Sequence, residues 1–428
     1  LAIAVGILIA SGQLEPIPVN YYLAGELSLD GTVRKVPGIL PMALELASES
    51  EAVFIVPEEN GKESALVREI TSYIVSNLAD LHCCLSGQAR LQPADPLDLS
   101  HNYSTGTMPD FSEVKGQDMA KRALQIAAAG LHNALLIGPP GGGKTMLARR
   151  VPGILPEMTR EEILETSRIY SVAGLLDSNS PLIVNRPFRA PHKNASSASI
   201  IGGGKIPRPG EISMAQNGVL FMDELPEFSR DVLEALRQPL EDKIVTVARA
   251  QATCTFPANF SLIASMNPCP CGNFGSETVE CRCSPIQIHN YLSRVSGPLL
   301  DRMDLHVEVP RIKFEHLKDD STTESSASIR EKVKNARRIQ AKRFERCKFK
   351  LNSEMRPGDI KKHCRLDEQS ERLLKRAFEN FNMSARAYDR ILKVARTIAD
   401  LEECQDILIA HLAEAIQYRS LDRKYWNK

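Results

Sequence analysis

The chain has 428 residues, 43% hydrophobic and 25% charged, and its 53 Lys and Arg balance 53 Asp and Glu. That length predicts two or three domains with a sizeable core, and a net charge of zero excludes any global electrostatic argument for nucleic acid or membrane. Ten cysteines in such a length exclude a small disulfide scaffold and suit reduced thiols in a cytoplasmic protein. The opening Leu1-Ala-Ile-Ala-Val-Gly-Ile-Leu-Ile-Ala10 has no basic flank and is too short to cross a bilayer. It predicts a buried helix in a chain that lacks its N-terminal start. No other long apolar run occurs, so no transmembrane segment is expected.

Residues 1–90 predict an α/β unit. Leu23 to Val33 alternates like a hairpin around an Asp30-Gly31 turn, a helix begins at Pro41, and Ala52-Val-Phe-Ile-Val reads as a buried strand. Residues 91–110, rich in Pro, Asp and Ser, predict a linker. Across residues 111–318, strand and helix patterns alternate. Residues 319–328 predict a second linker, opening a helical region over 319–428.

The most informative stretch follows the apolar strand Ala134–Ile137. It reads Gly138-Pro139-Pro140-Gly141-Gly142-Gly143-Lys144-Thr145-Met146, the P-loop pattern Gly-x-x-x-x-Gly-Lys-Thr. Glycines let the backbone wrap closely around phosphates, and the following helix N-terminus adds partial positive charge. Lys144 would reach the outer phosphates of ATP, and the Thr145 hydroxyl would ligate Mg²⁺. A second apolar strand, Gly218-Val-Leu-Phe-Met, ends in Asp223-Glu224. Asp223 would hold Mg²⁺, and Glu224 would serve as general base toward the attacking water. Binding alone needs only Asp223, so Glu224 argues for hydrolysis.

Several segments carry resemblances. Gly25-Glu-Leu-Ser-Leu-Asp-Gly-Thr-Val-Arg-Lys-Val-Pro-Gly38 resembles part of the ribosomal-S5-like fold of Lon-type protease domains. The Lys expected after the last glycine is missing from Ile39-Leu40-Pro41, which implies a partial, non-proteolytic unit. Ser261-Leu-Ile-Ala-Ser-Met-Asn267 is similar to the sensor 1 strand of AAA+ ATPases, which lies between the P-loop and acidic strands. Asn267 would orient water with Glu224. Ser296-Gly-Pro-Leu-Leu-Asp-Arg302 resembles the arginine-finger segment of the replicative MCM helicases. Arg302 would then reach a neighbouring subunit's γ-phosphate. Arg386, at the start of an amphipathic helix, matches the sensor 2 position, with Arg390 as the competing candidate. The runs Arg186-Pro-Phe-Arg-Ala-Pro-His-Lys, Pro207-Arg-Pro-Gly-Glu-Ile-Ser and Asn267-Pro-Cys-Pro-Cys-Gly resemble the magnesium-chelatase-like AAA+ branch, within it the ComM/YifB-like family. Lys193 stands where a second histidine is expected.

That resemblance implies an AAA+ P-loop core with a C-terminal all-helical lid behind it. It also implies a homo-hexameric ring ATPase acting on branched or single-stranded DNA beside recombination proteins, by branch migration during natural transformation. An insert near 186–210 and a hairpin near 242–249 would present Lys205, Arg208, Lys243 and Arg249 to a central channel, or leave them as solvated loop charges. Rival readings are a magnesium-chelatase-type motor for porphyrin metalation, a Lon-like protease and a non-hydrolysing scaffold.

Two features need no resemblance. Cys269-x-Cys271 and Cys281-x-Cys283 place four thiols on two turns, enough to close a tetrahedral Zn²⁺ site, with free thiols or a redox pair as alternatives. Ile329 to Lys350 carries ten Lys or Arg against Glu331 and Glu345, an excess of eight. Ile329, Val333, Ala336, Ile339 and Arg343 predict its inner stripe. The outer face suits either nucleic acid or plain solvation.

Overall fold

The computed structural model describes residues 1–95, 108–204, 207–248, 253–275, 279–311, 323–381, 383–421 and 425–426. They fall into two compact units: residues 1–106 with 158–185, and residues 107–157 with 186–428. The stretch 158–185 therefore interrupts the span expected for the ATPase core.

In the first unit, β1 (Tyr21–Leu23), β4 (Val53–Pro57) and β5 (Thr71–Val75) pair in parallel, and β6 (Gln92–Pro93) adds antiparallel to β5. β6 occupies residues expected to be linker; residues 96–107 of that linker lie outside the described residues. The expected hairpin forms as β2 (Glu26–Leu27) against β3 (Val33–Arg34). The helix Arg160–Ala173 starts at a capping box between Thr159 and Glu162. It belongs here because Ser171 accepts from the Gly38 N–H at 3.0 Å and donates to the buried Glu63, which also accepts from the Leu40 N–H.

The opening helix, Ala2–Ala10, forms as expected but is not buried: only Val5 is enclosed, while Ile3 and Ile7 are 82% and 62% exposed. A helix lying on one face of a sheet has one side to cover. Val5 packs there with Ile55, Val75 and Leu81.

The second unit is built on a parallel sheet in the order β15-β7-β14-β11-β8. Its strands are β7 (Ala134–Ile137), β8 (Phe188–Arg189), β11 (Val219–Met222), β14 (Ser261–Met266) and β15 (Leu305–Glu308). Every residue of β7, β11 and β14 is buried, as expected for a parallel sheet covered on both faces. Two hairpins accompany it. β9 (Gly202–Gly203) pairs with β10 (Arg208–Pro209), and β12 (Ile244–Ala248) pairs with β13 (Thr253–Pro257). On β12, Val245 and Val247 are buried between exposed neighbours, the alternation read from the sequence. Lys205 and Arg249 lie outside the described residues.

The C-terminal part is helical as expected: Ser326–Arg343, Pro357–His363, Glu368–Phe381, Ala385–Leu401 and Ile409–Gln417. The first and fourth of these pack on the Asp118–Gly130 helix. The basic helix stops at Arg343, because Phe344 turns inward onto Phe349 and His363. Its inner stripe is Ile329, Val333, Ala336 and Gln340, with Ile339 only half-buried. Arg330 and Arg337 donate to the carbonyls of Gly153 and Ala128, and Arg343 pairs with buried Asp400. Those three cations brace the fold rather than form an outer basic face. Residues 319–322 of the second expected linker lie outside the described residues.

A buried polar clamp joins the N-terminal ends of three strands. The Asp304 carboxylate accepts from the Asn133 N–H at 3.1 Å, meets His132 Nδ1 at 3.3 Å and pairs with Arg390. Asn133 Oδ1 accepts from the Leu262 N–H at 2.9 Å, and its Nδ2 donates to the Arg302 carbonyl at 3.0 Å. Burial opposes the charge on Asp304, but Arg390, His132 and Lys393 outweigh it and hold the carboxyl well below the usual aspartate range. A depressed carboxyl stabilises the fold fully above its unfolded pKa of about 4 and loses that contribution as pH falls through its folded pKa. Asp304→Asn is therefore expected to lose about 3 kcal/mol, since it leaves Arg390 without its partner. Urea unfolding at neutral pH checks the loss, and the gap to wild type should narrow below about pH 4. An equal gap at every pH would show that the carboxylate charge is not the cause.

Candidate nucleotide site

The site lies at the C-terminal ends of β7, β14 and β11, opposite the clamp. β7 feeds the loop Gly138–Gly143, and the helix Lys144–Ala148 follows. Gly138 is required by close approach: a Cβ there would stand 2.0 Å from the Val309 carbonyl oxygen. The Gly138 N–H donates to the Met266 carbonyl at 3.2 Å, tying the loop to β14. Gln117 Nε2 donates to the carbonyls of Gly142 and Pro310 at 3.2 and 2.7 Å, holding the loop's far end.

Lys144 is buried, and its Nζ donates to the carbonyls of Gly138 (2.7 Å) and Pro139 (2.9 Å) and to Asn267 Oδ1 (3.1 Å). Burial pushes its pKa down, against the pull of Asp223 and Glu224. Thr145 Oγ1 donates to Asp223 Oδ2 at 2.9 Å, and Ser265 donates to the other oxygen of that carboxylate. The hydroxyl and carboxylate read as Mg²⁺ ligands are thus in direct contact, and this donor set of two hard oxygens fits that ion. Glu224 sits in the left-handed region at φ 54°, with its N–H held by Asp223 Oδ1 (3.1 Å) and Ser265 Oγ (3.3 Å). The P-loop, Asp223, Glu224 and Asn267 therefore converge as expected. A cavity of about 600 Å³ opens beside them, between Met108–Pro109, Glu113 and the segment Thr145–Arg150.

Lys193 is the residue that motif reading missed. Its Nζ contacts Glu224 Oε2 at 2.6 Å, both side chains being substantially exposed. Position 193 had stood out only as a missing histidine, and no local pattern links it to residue 224.

Arg302 and Arg386 do not join this cluster. Leu305 of β15 pairs with Ala134, the first residue of β7, so Arg302 lies at the N-terminal end of the sheet. Four residues of strand separate Ala134 from Gly138, roughly 13 Å. Arg302 Nη1 donates to the Pro298 carbonyl at 2.7 Å, and Nη2 pairs with Glu241. Arg390, the competing sensor candidate, is committed to Asp304 and the Arg302 carbonyl. Arg386 is exposed one helical turn earlier, about 6 Å away along the helix. Both arginines thus occupy the end of the sheet away from their own P-loop. Lys243 is half-buried, desolvated and in the electrostatic reach of Glu354, Asp304 and Arg390. It lies with that end too, rather than on a hairpin tip.

The four cysteines converge beyond β14. Cys269 Sγ lies 3.4 Å from Cys271 Sγ and 3.7 Å from Cys281 Sγ, Cys271 and Cys281 are 3.6 Å apart, and all four sulfurs, Cys283 included, lie within 4.8 Å of one another. Burial pushes the Cys269 thiol up, while the main-chain N–H groups of Asn273 and Arg282 hold Cys271 down. Among the described residues, no helix is long and apolar enough to cross a membrane.

Comparisons with known proteins agree with this architecture. The family model for magnesium chelatase subunit ChlI matches residues 110–317, that for the ChlI C-terminal part matches 323–419, and a third, for subunit ChlI of Mg-chelatase, matches 1–60. The competence protein ComM of Haemophilus influenzae is 45% identical over 427 residues, 99% of this chain and 82% of that protein. The uncharacterized protein YifB of Escherichia coli is 43% identical over 425 residues, with the same coverage. The magnesium-chelatase 38 kDa subunit of Rhodobacter capsulatus is 27% identical over 197 residues, 42% of this chain and 55% of that subunit.

The Gly138 contact supplies a direct check on the cradle. Gly138→Ala must displace either the loop or the Val309 carbonyl, and nucleotide affinity is expected to fall about tenfold or more, in line with the cost of a 1 Å misplacement. Fluorescence titration with a labelled ATP analogue measures it; an unchanged affinity would mean that this loop does not cradle phosphate.

Proposed function

This chain belongs to the magnesium-chelatase-like family of AAA+ ATPases, in the branch of ComM and YifB, and from that membership and the site we infer an ATP-hydrolysing ring motor that acts on DNA. The observation that carries the ATPase part is the Thr145–Asp223 contact, with Lys144, Glu224 and Asn267 around it. Thr145 and Asp223 would hold Mg²⁺, which would offset phosphate charge, and Lys144 and the loop N–H groups would neutralise the phosphates of ATP. Met108, Pro109 and the cavity beside Thr145 suit the nucleoside. Glu224 takes the proton of the water whose oxygen bonds to the γ-phosphorus while the bond from that phosphorus to the bridging oxygen breaks. Asn267 holds that water in line, and ADP and phosphate leave. Lys193 must release Glu224 for that step.

The arginine supply is intermolecular. With Arg302 and Arg386 both at the far end of the sheet, each site is completed by a neighbouring copy, and repeated head-to-tail contacts of this kind close into a ring. We assign a homo-hexamer. Arg302 exchanges Glu241 for the neighbour's γ-phosphate and stabilises transition-state charge there; Arg386 contacts the same nucleotide.

Support for DNA as the track comes from 45% identity, over 99% of this chain, to a protein named for competence; the β9–β10 and β12–β13 hairpins would line the channel of such a ring. Branch migration of incoming DNA, with recombination proteins as partners in the cytoplasm, is the activity this combination favours. The ChlI family models favour a second reading, a magnesium-chelatase-type motor. Against it stands the contrast between 45% identity over 99% of the chain and 27% over 42%.

Glu224→Gln is expected to lower the hydrolysis rate by about 10²–10⁴-fold while keeping ATP binding. Arg302→Ala is expected to lower it by about 10³–10⁵-fold. An equal mixture of the two variants should regain activity, because some interfaces then pair an intact Glu224 with an intact Arg302. A mixture as inactive as its parts would refute the shared site. Forked or Holliday-junction DNA should stimulate wild-type hydrolysis, and no stimulation by either would refute DNA as the track.

A further inference from the structure

We propose that Cys269, Cys271, Cys281 and Cys283 bind one zinc ion and that this metal knuckle braces the P-loop through Gly272 against Pro140, so that metal occupancy sets nucleotide affinity. The proposal rests on reading the P-loop as the ATP site.

The metal follows from sulfur geometry. Zn–S bonds of about 2.3 Å at tetrahedral angles put sulfurs roughly 3.8 Å apart. The separations among Cys269, Cys271 and Cys281 are 3.4, 3.6 and 3.7 Å, and all four sulfurs lie within 4.8 Å of one another. The Phe274 N–H points at Cys269 Sγ at 3.3 Å, and the Gly272 N–H closes the turn onto the Cys269 carbonyl at 3.0 Å. A main-chain N–H on sulfur is a feature of ligating thiolates, whose charge the amide dipole offsets. Four soft sulfur donors select zinc over the hard cations of the nucleotide site, and with no open position the ion is structural.

The coupling follows from what the knuckle touches. Gly272 has φ +80°, and a Cβ there would stand 2.4 Å from Pro140 Cδ and 3.1 Å from Pro140 Cγ. Backbone therefore rests directly on the third residue of the P-loop. The knuckle starts two residues after Asn267, whose side chain holds Lys144. On its other side Asn273 Oδ1 accepts from Arg311 Nη2 at 3.4 Å, next to Val309 and Pro310, which crowd Gly138 and Gly142. Releasing the metal frees the turn Cys269–Phe274, and with it the surface that stops Pro140 from moving outward.

The test measures zinc content and ATP affinity separately, in a Glu224→Gln background so that nucleotide persists during titration. Elemental analysis is expected to give one zinc per chain. Cys271→Ser and Cys281→Ser should lose it and weaken Mg·ATP binding about tenfold or more. Gly272→Ala should keep zinc and still weaken ATP binding; it decides the matter if the cysteine variants do not fold. No zinc in the parent protein, ATP affinity unchanged in a folded zinc-free variant, or unchanged affinity in Gly272→Ala would each overturn the proposal. Zinc bound with no measurable ATP binding in the parent protein would instead overturn the P-loop reading.

Discussion

The clamp around Asp304 and Asn133 pins the starts of β7 and β14, two of the three strands whose opposite ends carry the candidate nucleotide site. β7 and β11 are wholly apolar, β14 is apolar except for Ser261 and Ser265, and all three are buried on both faces, so no alternation of polar and apolar residues polices their register. A one-residue slip would cost little in transfer energy yet reverse every side chain. Polar groups at the strand starts supply what the strands lack. Asn133 bonds β14 through Leu262 and the β15 segment through Arg302, and Ser261 Oγ donates to the His132 carbonyl. With those ends pinned, Met266 must face Ile137, and Asn267 must arrive beside Lys144. A buried donor or acceptor left unmade in any other register would cost about 1–3 kcal/mol each.

The same clamp orients Arg302 and Arg386. Arg390 reaches it from the Ala385–Leu401 helix, which fixes the start of that helix, and therefore Arg386, relative to Arg302. His132 Nε2 meets Thr397 Oγ1 at 2.7 Å one face further along. The two arginines are thus held in a common frame with β15, at one end of the sheet, while the phosphate cradle is held at the other. That separation is a consequence of which ends of β7 and β15 carry which residues.

Much of this was legible in the sequence because it is local. The P-loop, the acidic strand end and the alternation of β12 each sit within a few consecutive residues, whereas the order of the strands was expected only from the resemblance to AAA+ ATPases. The parts that were not legible depend on distant partners. Burial of the Ala2–Ala10 helix was overestimated because apolar composition does not say how many sides a neighbour covers. The basic helix was read too long because Phe344 leaves the helix for Phe349 and His363. Residues 158–185 join the first unit through hydrogen bonds to Glu63, Gly38 and Lys35 and through the packing of Ile163, Leu182 and Val184, which no local pattern announces. Lys193 meets Glu224 across 31 positions of chain.

The P-loop itself shows why such distant partners matter. A Gly-rich loop has the most conformational entropy to lose on ordering, so its sequence specifies what it can bind but not that it is held ready. Here Gly138 is held by Val309 and Met266, Gly142 by Gln117, and Pro140 by Gly272. Each brace comes from a different segment, and three of those segments, around Met266, Gly272 and Val309, lie near Asn267, the cysteine knuckle and β15. Cradle, sensor strand and knuckle therefore form one packed unit. The cysteine segment touches the P-loop by direct contact, across a single glycine–proline interface.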